Sequence, residues 1–170
     1  MFVFGTANDV VTMAVRIEEN GKAFYEGAAA KTGEPLVKKL FEELAVMEDG
    51  HIQQFKQLRA SLEKSFTAER VWDPEGLAES LLQASADTHI FTAKAATESL
   101  KAVNTAAEAL DMALRFEKDS VVFFLGMKDV LPDESSKGEI DKLIDAERDH
   151  VRMLSEKVRE LAETGSTTIE

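Results

Sequence analysis

Four long segments of the chain carry apolar residues at intervals of three and four positions, the spacing that places them on one face of an α-helix. This pattern predicts helices over residues 7–31, about 35–64, about 105–130 and about 134–163. Thr6 or Asn8 is expected to cap the first helix, because a side-chain oxygen there accepts a hydrogen bond from a free backbone N–H. Thr32-Gly33-Glu34-Pro35 ends this helix and starts the next, so the first two helices should be antiparallel neighbours.

Each helix should turn one apolar stripe toward a common core. On the second helix, the residues expected to face inward are Leu36, Leu40, Leu44, Met47, Ile52, Phe55 and Leu58. On the third, they are Leu110, Ala113, Leu114, Val121, Phe124 and Leu125. Glu48 lies inside the stripe of the second helix and Glu117 inside that of the third. Carboxylates without a partner are rarely found on such buried faces.

The regular pattern weakens between residues 65 and about 104. Within this stretch Trp72-Asp73-Pro74 is typical of a turn, and residues 75–86 are expected to form a short helix capped by Asp73. The predicted fold is therefore all-α: an antiparallel four-helix bundle in which a long crossover containing a short helix joins helices 2 and 3. The length of 170 residues fits a single domain over residues 1–170.

Composition and charge limit the possible functions. The formal net charge of -12 argues against binding to nucleic acid or to anionic membranes, because both require clustered Lys and Arg. No apolar run approaches the roughly 20 residues that cross a bilayer. The first residues, MFVFGTANDVV, lack the basic region and cleavage site of a signal peptide, so a cytoplasmic location is expected. There is no cysteine, so any metal must be bound through oxygen and nitrogen.

Six residues that can bind metals fall into two sets of three with a common offset. The sets are Glu18, Glu48 and His51, and Glu117, Glu147 and His150, each member lying 99 positions from its counterpart. The same shift matches Met13 with Met112, Ala14 with Ala113, Arg16 with Arg115, Phe24 with Phe123 and Leu44 with Leu143. A period this long is not that of a solenoid. It indicates two similar helix hairpins related by an approximate twofold axis.

The residue types and their spacing point to two metal ions. Residues three apart on a helix share a face, so each Glu-x-x-His pair can converge on one point. Two helices with one Glu each and two with Glu-x-x-His each are the arrangement of di-iron and di-manganese carboxylate bundles. Two divalent cations would cancel the charge of four buried carboxylates, and this ligand set suits iron or manganese, with zinc as a substitute. The alternative is a duplicated site that has lost its metal.

Tyr25 lies seven residues after Glu18 on the same helix face, about 10 Å along the axis. It is a candidate catalytic residue that could hydrogen-bond a metal ligand or carry an electron, or it is a core tyrosine. Its counterpart in the repeat is Phe124, which can do neither. Gly21 and Ser120, three positions after each single glutamate, either leave space beside the metals for dioxygen or peroxide or serve helix packing.

Four segments resemble the four helices of the rubrerythrin branch of the ferritin-like superfamily. They are AVRIEENGKAFYEGAA, which contains that family's Glu-x-x-Gly-x-x-Phe-Tyr pattern, LAVMEDGHIQQF, ALRFEKDSVVFF and LIDAERDHVRML. The resemblance covers nearly the whole chain and implies a ferritin-like bundle whose two iron ions react with peroxide or dioxygen. It also implies bridging ligands and terminal ligands: Glu48 and Glu147 would bridge, and Glu18, Glu117, His51 and His150 would be terminal.

Two departures from this family bear on function. Rubrerythrins proper carry a rubredoxin-like domain with four cysteines that delivers electrons, and an additional carboxylate on the third helix where this sequence has Ser120. A separate electron-donor protein is therefore expected. The leading hypothesis is a non-haem di-iron oxidoreductase acting in oxidative stress, as a homodimer. The alternatives are an iron-storage protein with ferroxidase activity, as in bacterioferritin, and a binding or scaffold bundle stabilised by its metal.

Overall fold

The computed structural model describes residues 6–65, 80, 98, 100, 101, 103–131 and 133–164. Within these ranges lie four long helices: α1 (Ala7–Lys31), α2 (Pro35–Ser65), α3 (Ala106–Val130) and α4 (Glu134–Thr164). Each agrees with a predicted helix to within one residue at either end. The predicted turn at 72–74 and, apart from Ser80, the predicted short helix at 75–86 lie outside the described residues. None of the helices described is long and apolar enough to span a membrane.

Side chains that satisfy free backbone groups determine where the helices begin. The Asp9 N–H donates to Thr6 Oγ1 at 3.2 Å, and the Thr6 N–H donates to Asp9 Oδ2 at 3.0 Å. This reciprocal pair is a capping box, so Thr6, and not Asn8, caps α1. At the start of α4, the Ser136 N–H donates to Asp133 Oδ1 at 2.8 Å and the Ser136 hydroxyl donates to Asp133 Oδ2 at 2.7 Å.

Buried apolar side chains form two clusters that reveal the direction of each helix. One cluster combines the first half of α1, the second half of α2, the second half of α3 and the first half of α4. The other combines the remaining halves. Helices α1 and α4 therefore run one way and α2 and α3 run the other. Because α2 and α3 are parallel, a long connection must join them, as in ferritin-like bundles with one crossover. The predicted all-α four-helix bundle is confirmed, whereas the short helix predicted in the crossover lies, apart from Ser80, outside the described residues.

Three apolar residues that were expected to face the core are exposed instead: Leu36 by 68%, Met47 by 41% and Leu125 by 42%. Each is adjacent in sequence to a buried residue, respectively Val37, Glu48 and Phe124. Neighbouring residues on a helix point about 100° apart, and at these three places the residue beside the expected one is turned toward the core. The prediction of which residues of α2 and α3 face inward was therefore wrong by one position at these places. The apolar character of a residue does not by itself show whether it lies at the centre or at the edge of the buried face.

Candidate metal centre

Between the two apolar clusters, every helix contributes acidic or imidazole side chains to one buried layer. These side chains are Glu18 from α1, Glu48 and His51 from α2, Glu117 from α3, and Glu147 and His150 from α4. None of the six is more than 6% exposed. The structure therefore brings together all six residues that share the common offset in the sequence.

One half of the layer is centred on His51. Its Nδ1 atom lies 2.8 Å from Glu147 Oε1, 3.4 Å from Glu48 Oε2 and 3.4 Å from Glu18 Oε2. Glu48 reaches this point because it precedes His51 by one helical turn. Three helices thus supply one imidazole nitrogen and three carboxylate oxygens to a single small volume.

The other half is centred on His150 and repeats this arrangement. Its Nδ1 atom lies 3.1 Å from Glu147 Oε2, 3.4 Å from Glu117 Oε1 and 3.5 Å from Glu48 Oε1. The rings of His51 and His150 face each other, with centroids 5.2 Å apart and planes inclined by 21°. The approximate twofold symmetry expected from the sequence repeat is therefore present in the centre itself.

The two halves share two carboxylates. Glu48 and Glu147 each direct one oxygen toward His51 and the other toward His150. Glu18 approaches only His51, and Glu117 approaches only His150. Ligand atoms from four of these residues, one from each of Glu48, His51, Glu147 and His150, all lie within 4.8 Å of one another. Such a group can hold metal ions.

Several of these atoms lack the partners that buried polar groups normally have. Among the residues that the structure describes, five buried atoms of this layer have no hydrogen-bond partner: Glu18 Oε1, His51 Nδ1, Glu147 Oε1, Glu147 Oε2 and His150 Nδ1. Four of the five face the centre of the layer at the distances given above. Unpaired buried carboxylates and imidazoles are costly, and divalent cations would supply the missing partners. The residues therefore fit a pair of metal ions.

The charges of the layer are shared unequally in the metal-free protein. Burial, followed by the charges of neighbouring carboxylates, raises the pKa of Glu18 and of Glu117 well above the ordinary value. Burial opposes ionisation of Glu48 and Glu147 as well, but close contacts with neighbouring side chains lower the pKa of each, those with Glu18 and Glu117 respectively having the largest effect. Glu18 and Glu117 therefore hold their protons more readily than Glu48 and Glu147, and metal binding would release protons.

The histidines respond to the same surroundings. Burial would lower the pKa of His51, but the three carboxylates around it, Glu147 first, raise it to about 12. The pKa of His150 is raised in the same way. Burial would lower it, and the contact with Glu117 contributes most to raising it. An imidazole must be neutral to bind a metal. Metal binding therefore requires the loss of these protons, and the positive ions replace the positive imidazolium groups.

A small cavity lies beside the layer, between α1 and α3. Its volume is about 10 Å³, and Gly21, Ser120 and the carboxylates of Glu18, Glu48 and Glu117 are among the groups that line it. This volume is about what one water-sized molecule requires. A Cβ atom added at Gly21 would lie 3.6 Å from Glu48 Cδ, so the missing side chain leaves the approach to this carboxylate open.

Tyr25 also lines this cavity, and its hydrogen-bond acceptor is not the glutamate that shares its helix. Tyr25 is on the same helix as Glu18, yet its hydroxyl donates a hydrogen bond across the bundle to Glu117 Oε1 on α3. Burial first, and then the electrostatic interaction with Glu117, raise the pKa of the phenol well above its ordinary value. Tyr25 therefore contacts a candidate ligand directly and keeps its proton at neutral pH.

Three further residues of the cavity wall were not singled out in the sequence as lining residues: Ile17, Asn20 and Phe116. Ile17 and Phe116 precede the single glutamates Glu18 and Glu117, and 116 repeats position 17 at the common offset. This equivalence in the repeat is the feature of the sequence from which Ile17 and Phe116 could have been predicted to line the cavity. Asn20 shows no such equivalence, because its counterpart in the repeat is Asp119, a different side chain on a partly exposed position.

Comparison with known proteins gives results at two levels. The family model described as Rubrerythrin matches residues 9–103, more than half of the chain. A crystal structure from Thermotoga maritima, described as that of a ferritin-like diiron-carboxylate protein, matches with a TM-score of 0.69 and 26% identity, over 94% of this chain and 99% of that chain. A hypothetical protein from Pyrococcus furiosus has the same fold, with a TM-score of 0.63 and 16% identity over 95% and 92% of the two chains. No curated protein shows significant sequence similarity to this chain.

Proposed function

The chain belongs to the rubrerythrin family, and from this we propose that it is a non-haem di-iron oxidoreductase that reacts with peroxide or dioxygen, using electrons from a separate donor protein. The observation that carries the proposal is the buried layer of four carboxylates and two imidazoles. Five polar atoms in that layer have no hydrogen-bond partner among the described residues. Without metal, such a layer would destabilise the bundle and no interaction would compensate for the cost of burying its charged groups.

The distances support a division of the six residues between two iron positions. Glu48 and Glu147 would be shared by the two ions, because each presents a different oxygen to each histidine. The terminal ligands are Glu18 and His51 at one position and Glu117 and His150 at the other. Manganese or zinc would fit the same oxygen and nitrogen donors, so elemental analysis of protein purified from its native host is the measurement that identifies the metal.

A pair of ferrous ions, when bound, supplies the two electrons that, with two protons, reduce one peroxide molecule to two of water. The protein holds the ligands in place and excludes bulk water, since apolar clusters cover the layer from both ends. Tyr25 keeps its proton on Oη and donates a hydrogen bond to Glu117, which fixes the orientation of that carboxylate. We assign Tyr25 this positioning role in the centre.

The size of the cavity between α1 and α3 supports a small oxidant. A volume of about 10 Å³ is closer to the size of dioxygen or hydrogen peroxide than to that of an organic hydroperoxide with an alkyl chain. A separate protein is the proposed electron donor, because these 170 residues contain no cysteine that could bind iron through a thiolate. A cytoplasmic location and a homodimer complete the proposal.

Rapid mixing of the ferrous-loaded protein with hydrogen peroxide tests this function. We expect oxidation of two ferrous ions per chain, followed by the absorption of oxo-bridged ferric iron, at a rate well above that of free ferrous iron. Glu147→Ala should abolish this fast phase because it removes an oxygen from both positions. Glu156→Ala, an exposed glutamate on the same helix, should leave it unchanged. A wild-type rate equal to that of free iron would refute the proposal.

The alternative functions make different predictions for the same preparation. An iron-storage protein would oxidise iron at these residues but needs a large closed shell, so the mass of the particle in solution separates it from the homodimer that we expect. A metal-stabilised scaffold would melt at a higher temperature with metal and show no reaction with peroxide.

A further inference from the structure

The two metal positions differ in the support that their terminal carboxylates receive. We propose that Tyr25 makes the position at Glu117 and His150 the tighter one, so that it fills before the position at Glu18 and His51. This inference rests on the proposed di-metal function. It adds an order of filling and assigns that order to one hydroxyl group.

The contacts in the metal-free protein do not by themselves distinguish the two positions. Glu18 Oε2 lies 3.4 Å from His51 Nδ1, and Glu117 Oε1 lies 3.4 Å from His150 Nδ1. Both glutamates are buried, at 2% and 3% exposure. The shared carboxylates contribute one oxygen to each side. We attribute the difference in affinity to the groups that contact these terminal carboxylates.

Behind Glu117 lies a donor that is held rigidly. The Tyr25 hydroxyl donates to Glu117 Oε1, and the tyrosine side chain is 1% exposed. Its ring stacks on Phe41, with centroids 5.9 Å apart and planes at 27°, and meets the edge of Phe24 at 5.6 Å. These contacts leave the phenol little freedom to rotate. Glu117 is thus oriented before a metal arrives.

The half at Glu18 carries no hydroxyl at the position that corresponds to Tyr25. The residue that repeats Tyr25 at the common offset is Phe124, whose fully buried ring packs against Phe55 at 5.0 Å and cannot donate a hydrogen bond. Glu18 Oε1 is one of the buried atoms without a hydrogen-bond partner in the part of the chain that the structure describes. The half at Glu18 therefore lacks the hydroxyl and contains a carboxylate oxygen without a hydrogen-bond partner among the described residues.

Hydrogen bonds to ligating carboxylates normally strengthen metal binding, because they hold the ligand in its bound orientation. Loss of such a partner typically lowers metal affinity by roughly 10-fold to 100-fold. The same factor, applied between two halves that otherwise match, separates the two binding steps. The position supported by Tyr25 should therefore bind metal about 10 to 100 times more tightly than the other.

Calorimetric titration of metal-free protein with Mn²⁺ measures both steps without any turnover. The wild-type protein should show two steps of unequal affinity. Tyr25→Phe should weaken the tighter step by roughly 10-fold to 100-fold and leave the weaker step unchanged. In crystals grown with one equivalent of Mn²⁺, the anomalous signal should lie beside His150 in the wild-type protein.

The reciprocal substitution provides a gain of function that a merely structural tyrosine would not produce. Phe124→Tyr should strengthen the weaker step by supplying a donor to Glu18. The double variant Tyr25→Phe with Phe124→Tyr should reverse the order, so that the anomalous signal at one equivalent moves beside His51. A cooperative thermal melt of each metal-free variant shows that it is folded. If Phe124→Tyr does not fold, the titration of Tyr25→Phe by itself tests whether Tyr25 strengthens the tighter step.

The possible failures are distinguishable. Two wild-type steps of equal affinity would overturn the inference and leave the di-metal function standing, as would equal weakening of both steps in Tyr25→Phe. A wild-type protein that binds no Mn²⁺ and no Fe²⁺ would overturn both, because there would be no positions to rank.

Discussion

Substitution of a shared ligand should abolish metal stabilisation at both positions, whereas substitution of a terminal ligand should abolish it at one. Glu147 lies 2.8 Å from His51 Nδ1 through Oε1 and 3.1 Å from His150 Nδ1 through Oε2. Glu18 approaches His51 alone. Glu147→Ala therefore removes an oxygen from each position, and Glu18→Ala leaves the position at His150 complete.

The expected magnitudes follow from binding linkage. A ligand that binds only the folded chain at 100 times its Kd stabilises it by about 2.7 kcal/mol, and at 1,000 times its Kd by about 4.1 kcal/mol. With the position at His150 ten times tighter than the other, the two positions together contribute about 6.8 kcal/mol. For a chain of this size, 1 kcal/mol shifts Tm by roughly 2–4 °C. Metal should then raise the Tm of the wild-type protein by roughly 14–27 °C, that of Glu18→Ala, which keeps the tighter position, by roughly 8–16 °C, and that of Glu147→Ala hardly at all.

The assay is thermal unfolding with Mn²⁺ and with a chelator, compared within each variant. This comparison is necessary because removal of a buried carboxylate also changes the stability of the metal-free protein. Glu156→Ala, an exposed substitution on the same helix as Glu147, should shift with metal as the wild-type protein does. Equal metal-induced shifts for Glu18→Ala and Glu147→Ala would refute the division into shared and terminal ligands.

Two further predictions concern the bundle itself. Leu44→Ala should cost about 2–5 kcal/mol, because Leu44 is fully buried, whereas Leu36→Ala should change stability by about 0.5 kcal/mol or less; similar costs in urea unfolding would contradict the observed orientation of α2. Asp133→Ala should cost about 1 kcal/mol at pH 7 through loss of the α4 cap. Because hydrogen bonds from Ser136 lower the pKa of Asp133, this contribution is present above the unfolded pKa, about 3.9, and is lost as pH falls through the folded pKa. A stability difference from the wild type that stays constant down to pH 2 would count against it.

Local spacing was sufficient to predict the helices and the members of the candidate centre. The period of 3.6 residues places Glu48 and His51 on one face whatever surrounds them. The common offset of 99 positions then connects this pair with Glu147 and His150. Covalent geometry within a helix determines these relations, so no tertiary contact was needed to find them.

The exact rotation of each helix could not be read from the pattern in the same way. Leu36 and Leu125 are as apolar as the residues beside them, yet they face away from the core. Which of two adjacent apolar residues points inward depends on where the neighbouring helix lies. That is a property of the packed bundle and not of the segment.

The sequence by itself determined the four helices, their pairing into two similar hairpins and the six residues that could bind metal. Only the tertiary structure decided that Tyr25 donates to Glu117 on α3 and not to Glu18 on its own helix, and that Glu48 and Glu147 each face both histidines. The physical reason is that spacing along a helix specifies direction and height, whereas contact across the bundle also depends on how the helices pack against one another. The unequal support of the two halves exists only at that level.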